Sequence, residues 1–223
     1  SCPFGVLTPA QVARRHAVGG YGSVTATTVA EAQAWAAVGA DAVCASGMEA
    51  GGHRGTFLTP TQPAAATGAA PSLADFEASM VGTLTLVTQC VDALSIPVIA
   101  AGGIMDGRGL AGALTLGAQG VQMRTAFLTC PESGIGAAYP KALPQAQATD
   151  TRGSVNTVME QLRADEAAVP PYPVQNALTG ALRRASDQAG RADHLSLWAG
   201  QGVAAVRPMP AAALVARLEA EWR

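Results

Sequence analysis

The phrase helix, glycine, apolar strand occurs twice in this chain, as WAAVGADAV at residues 35–43 and ALTLGAQGV at 113–121. Repetition of such a phrase implies repeated βα units. The first copy predicts a helix over Val29–Val38, with Thr27 and Thr28 as candidate caps, a break at Gly39 and a buried strand over Asp41–Ser46. The second predicts a helix over Leu110–Leu116, a break at Gly117 and a strand over Gly120–Leu128. Between them fall a helix over Met80–Leu94 and a strand over Pro97–Ala101, and residues 18–26 read as one more strand interrupted by glycines. Residues 58–73, rich in Pro, Thr, Ala and Gly, form a loop long enough for a lid or arm. Residues 129–175 read as loop and short helices, and Ala211–Trp222 as an amphipathic helix opened by Pro210.

Strands that are unbroken apolar runs, alternating with helices, imply a parallel sheet covered by helices. An open doubly wound sheet and a barrel share that pattern, and in both the chemistry sits at the strand C-termini. The 223 residues fit a single domain with a sizeable core. Lys141 is the only lysine and the net charge is −2, which gives no field for a nucleic-acid backbone. The pairs Arg14–Arg15 and Arg183–Arg184 read as solvated helix faces. Cys2, Cys44, Cys90 and Cys130 form no CxxC and have no histidine at ligand spacing, so no metal and a reducing compartment are expected. With no signal-peptide pattern and no membrane-length apolar run, the expected location is the cytosol.

Three constellations can carry chemistry. In GMEAGGHRG (residues 47–55), glycines let backbone approach a ligand closely, and His53 stands in a strand-end loop where it can exchange a proton near neutral pH. The alternative is a turn with a solvated histidine. In AAGGIMDGRG (residues 100–109), a strand runs through a glycine turn into a helix and makes a nest of backbone N–H groups suited to phosphate. In WAGQG (residues 198–202), Trp198 and Gln201 stand beside two glycines, and a buried Trp198 that anchors the closing helix is the favoured reading.

In this order the stretches ATTVAEA (26–32), GADAV (39–43), GMEAGGHRGTF (47–57), PVIAAGGIMDGRGLAGALTLGAQGVQM (97–123), TAFL (125–128), PYPVQ (171–175) and LWAGQG (197–202) resemble the nitronate monooxygenase family, formerly 2-nitropropane dioxygenase. The resemblance implies a (β/α)₈ barrel with FMN at its C-terminal mouth, here as about four C-terminal βα units in one flavin-binding domain over residues 1–223. It implies that His53 is the catalytic base toward a nitroalkane or nitronate, with O₂ as oxidant and a carbonyl compound and nitrite as products. Gly51 and Gly52 would lie against the flavin, Gly102, Gly103 and Thr125 match positions that hold its phosphate, and Gln201 and Trp198 would stand on the substrate side.

The chain departs from the family pattern at three places. The family's opening half has no counterpart before Ser1, and PFG at residues 3–5 resembles the end of its fourth strand. Arg124 stands where the family has glycine before the phosphate-binding threonine, adding either a charge-assisted phosphate contact or an obstruction. The segment 148–157 is shorter than its counterpart, with Arg152-Gly153 as the remnant of a family motif. A half-barrel exposes two sheet edges, and self-association into a homo-oligomer is the simplest way to cover them. Two other readings stay open: an NADH-dependent quinone or enoyl-thioester reductase on the same flavin barrel, and a non-catalytic phosphate-binding remnant. A sugar-phosphate isomerase ranks last, because Glu49 is the only obvious strand-end carboxylate.

Overall fold

A computed structural model describes residues 6–58, 76–77, 79–143, 153–165, 168–170 and 174–223. The chain opens on a helix α1 (Pro9–His16), then alternates β1 (Ser23–Ala26), α2 (Val29–Ala37), β2 (Ala42–Ser46), α3 (Thr83–Ala93), β3 (Val98–Ala101), α4 (Gly107–Thr115) and β4 (Gly120–Gln122). Short elements follow: 3₁₀ turns at Thr125–Phe127 and Pro131–Ser133, α5 (Ala138–Ala142), α6 (Thr157–Arg163), α7 (Val174–Leu178), α8 (Gly180–Gln188), a 3₁₀ turn at Gln201–Ala205 and the closing helix α9 (Ala211–Trp222). The expected lid lies outside the described residues from residue 59 to 73, as do PFG at 3–5, Arg152 and Tyr172.

The two glycine breaks have one physical cause. Gly39 and Gly117 sit at φ +88° and +93°, the left-handed region that ends a helix. At the first, the Gly39 N–H donates to the Ala36 carbonyl at 3.0 Å and the Ala40 N–H to that of Trp35 at 3.1 Å. At the second, Gly117 donates to Leu114 at 3.0 Å and Ala118 to Ala113 at 3.1 Å. Both are Schellman closures, which satisfy the last carbonyls of α2 and α4 and turn the chain into the next strand. At the other ends, the Thr28 hydroxyl accepts from the Glu31 N–H at 3.2 Å and the Asp106 carboxylate from the Gly109 N–H at 3.0 Å.

The strands form one parallel sheet in the order β1-β2-β3-β4, with Cys44 opposite Thr25 and Ile99, and Ser46 opposite Ala101. Every residue of β2 is buried. Val24, Val43, Ala45, Val98 and Ala100 pack with Trp35 of α2 and Leu86 and Val87 of α3 into the main core. Sequential order and parallel direction bring the ends of all four strands, Ala26, Ser46, Ala101 and Gln122, to one side. The loops that start at residues 47, 102 and 123 therefore open together. Among the described residues, β1 and β4 are each paired on one side only.

Several boundaries differ from the sequence reading. The strand expected over Gly120–Leu128 ends at Gln122, because the chain turns into the 3₁₀ segment Thr125–Phe127, so Arg124 lies outside the strand. The helix expected from Met80 starts at Thr83, since Gly82 holds the extended N-cap position. The strand expected over 18–26 is confined to Ser23–Ala26, after a turn in which Gly19 has φ +72°. Helix α1, absent from the sequence reading, is closed by a capping box between Thr8 and Gln11.

Candidate active site

The site is a meeting of glycine loops. Gly47 leaves β2 pressed against α3, where an added Cβ would lie 2.1 Å from the Thr83 hydroxyl. This approach lets Glu49 serve as a cap for α3 from another loop: its carboxylate accepts from the Thr83 N–H at 3.0 and 2.9 Å and from the Thr83 hydroxyl at 2.7 Å. Gly82, at the N-cap, has no side chain for that task. The Glu49 carbonyl in turn accepts from the Gln201 N–H at 2.8 Å, drawing the segment 199–202 in. Gly51 meets that segment so closely that a Cβ would fall 2.4 Å from the Ala199 carbonyl carbon and 2.5 Å from the Gly200 nitrogen. Closest to the strand ends, Gly102 and Gly103 have φ of +125° and +67°.

A cavity of ≈ 130 Å³ lies among these loops. Its lining includes Gly51, His53, Gly102, Gly103, Arg124 and Thr125. The Thr125 hydroxyl, buried, accepts from the Gly200 N–H at 3.0 Å, which directs its own proton elsewhere. Arg124 is exposed, with a guanidinium nitrogen 3.8 Å from where a Cβ on Gly52 would sit. The strands contribute Thr25, Cys44, Ser46 and Gln122 to the lining. Burial pushes the Cys44 thiol up to about 12, so this cysteine is an inert wall.

His53 is exposed, and its ring stacks on Trp198 with centroids 5.3 Å apart and planes tilted by 37°. Trp198 is half-buried, and its carbonyl accepts from the Tyr139 hydroxyl at 2.8 Å. Burial raises the Tyr139 pKa, opposed by the Arg124 charge. Beyond His53 the loop is pinned. The Arg54 Nε donates to the Ser79 hydroxyl at 3.2 Å, and its guanidinium also reaches the Ser79 carbonyl. Burial lowers the Arg54 pKa, and Glu31 and Glu49 oppose that shift.

Six residues expected at the site, His53, Gly51, Gly102, Gly103, Arg124 and Thr125, therefore share one cavity, and Gly52 is within reach of Arg124. Trp198, which the residues alone favour as an anchor of the closing helix, is half-buried and packs beside His53, because the WAGQG segment folds onto the Glu49–Gly51 turn. Gln201 lines a separate groove between α3 and α4. The strand residues that line the cavity were not singled out in the sequence, since their inward direction depends on register. Glu31 and Thr83 also went unmarked; for Glu31 a signal existed, since it is the one acidic residue of the mostly apolar helix Val29–Ala37.

Four sequential parallel βα units, with their glycine turns gathered at the strand C-termini, define half of a (β/α)₈ barrel whose site is the C-terminal mouth. The chain belongs to the nitronate monooxygenase family, whose family model matches residues 1–221. It is 44% identical over 208 residues to a probable nitronate monooxygenase of Staphylococcus saprophyticus, covering 86% of this chain and 53% of the relative. A probable nitronate monooxygenase of Staphylococcus aureus is 40% identical over 205 residues, covering 87% and 54%. The chain thus spans about half the length of the relatives it matches. Among solved structures, the nitroalkane oxidase from Streptomyces ansochromogenes superposes with a TM-score of 0.84 at 38% identity, over 98% of this chain and 62% of that one. FabK from Thermotoga maritima superposes with a TM-score of 0.74 at 26% identity, over 98% and 68%.

Proposed function

We propose that this chain is the histidine-bearing half of an FMN-dependent oxidoreductase that oxidises alkyl nitronates with O₂ to carbonyl compounds and nitrite. The observation that carries the reading is His53, held on Trp198 at a cavity lined by Gly102, Gly103 and Thr125. The cavity of ≈ 130 Å³ is large enough to admit a phosphate group. Its lining suits a phosphate too: glycine backbone at positive φ, a threonine hydroxyl with its proton to give, and an arginine at the rim. Gly102, Gly103, Thr125 and Arg124 would hold that group, and Gly51 and Gly52 would flank what extends from it. Bound FMN would supply the electron transfer between nitronate and oxygen.

The chain's own part is proton chemistry and placement. The His53 imidazole takes the α-proton of a neutral nitroalkane, and as imidazolium it holds the resulting nitronate by charge and hydrogen bond. Trp198 keeps the ring in a defined plane while leaving it open to substrate. His53→Asn should abolish turnover of neutral nitroalkanes and largely spare preformed nitronates, read as nitrite release by the FMN-loaded protein. Equal loss with both substrates would mean that the histidine serves binding or folding. The likeness to FabK in fold keeps a second reading, reduction of a quinone or enoyl thioester by NADH. NADH oxidation with quinone and no nitrite from nitronates would establish it instead. Failure to bind FMN at all would point to the non-catalytic remnant.

A further inference from the structure

Glu31 is wholly buried, yet it belongs to no part of the cavity. A buried carboxylate persists only where donors compensate its lost hydration. Here Oε2 accepts from the Thr27 N–H at 2.7 Å and the Thr27 hydroxyl at 2.8 Å, and Oε1 from the N–H groups of Phe57 at 2.8 Å and Leu58 at 3.2 Å. One oxygen thus grips the end of β1, next to α2, and the other grips the loop that carries His53, four residues upstream of Phe57. No regular structure holds residues 53–58, so their place is set by such contacts. The Phe57 ring adds an edge contact to Trp35 of the same helix, with centroids 5.9 Å apart.

We infer that Glu31 is a positioning residue, a carboxylate latch that fixes the His53 loop to the sheet and so sets the stacking of His53 on Trp198. Its catalytic consequence rests on the proposed role of His53; the geometric claim does not. Gln is nearly isosteric but offers one oxygen and an NH₂ group. In Glu31→Gln the NH₂ must therefore face either the Phe57 and Leu58 donors or those of Thr27, and one side of the latch opens. Leu58→Pro opens it from the loop side, removing one N–H while leaving the carboxylate its other donors.

The test joins three readouts on the FMN-loaded protein. In the unmutated protein the Phe57 and Leu58 amides should be protected from hydrogen exchange; exchange at the rate of an open loop overturns the latch without any variant. With labelled histidine, the His53 ring resonances should carry the ring-current shift of Trp198, and Glu31→Gln should collapse it, Leu58→Pro in part. A shift retained in both variants overturns the inference. In nitrite assays Glu31→Gln should lower kcat/KM for a neutral nitroalkane about 10–100-fold more than for its preformed nitronate, the scale of an ångström misplacement. If the ring shift collapses but both substrates suffer equally, the latch stands and His53 is not the base.

Discussion

Gly51→Ala should be far more damaging than Gly52→Ala, although the two glycines are adjacent and read alike in the sequence. The added methyl at residue 51 would sit 2.4 Å from the Ala199 carbonyl carbon, 2.5 Å from the Gly200 nitrogen and 2.8 Å from the Ala199 oxygen, all backbone. Carbon contacts are comfortable from about 3.5 Å, so the 199–200 strand of loop must retreat by about 1 Å. The bonds in its path are Gly200 N–H to the Thr125 hydroxyl at 3.0 Å and Gln201 N–H to the Glu49 carbonyl at 2.8 Å, and such a retreat breaks both. Overpacking costs about 1–3 kcal/mol and each lost bond about 1 kcal/mol, so about 3 kcal/mol is a low figure for the whole. In a domain of this size that is a fall in Tm of about 6–12 °C. Gly52 has φ +82° and nothing nearer its missing Cβ than Arg124 at 3.8 Å, which leaves only the left-handed cost of about 1–2 kcal/mol. Thermal melts by circular dichroism compare the two directly. If Gly52→Ala melts as low as Gly51→Ala, the close approach to Ala199 and Gly200 is not what the glycine at 51 serves.

Two further outcomes follow from charge. Burial holds the Cys44 thiol up at about 12 and Cys90 at about 11, against 9.0 for a free thiol, so the unfolded chain ionises first. Stability present below pH 9 should therefore fall as pH rises toward 12, and Cys44→Ala should flatten that slope in urea unfolding at rising pH. Glu221 is held down at about 2 by Arg217, the Gly107 N–H and Arg207, against an ordinary 4.5. Its contribution should be full above pH 4.5 and lost as pH falls toward 2; Glu221→Gln should remove that part of the acid transition, and an unchanged acid profile would refute it.

The elements legible in the sequence were those closed by local chemistry. Gly39 and Gly117 end their helices through bonds within five residues, and Ala211–Trp222 follows its proline as read. What was lost depends on distant partners. Nothing local says that the chain after Gln122 turns into a 3₁₀ segment whose threonine receives Gly200 from 75 residues away. For Trp198 the residues alone favour a core anchor, because an aromatic beside glycines has that look in one dimension, while the family resemblance implies the substrate side; its place beside His53 follows from the Gln201–Glu49 backbone bond. Glycines were legible as close approaches, but the partner at Gly51 is another loop of the same chain.

That substitution of partner changes how the site's composition is to be understood. Two carboxylates stand near the His53 loop, and in an uncharacterised cavity each would be a natural candidate for a base. Glu49 accepts from the N–H and hydroxyl of Thr83, and Glu31 from four donors on two segments. The lone pairs of both carboxylates are thus committed to N–H and O–H donors of the fold. Both therefore act as backbone ligands: one closes α3 beneath the glycine turns, the other ties the histidine loop to the sheet. The acid side chains build the place, and the glycines let the loops converge.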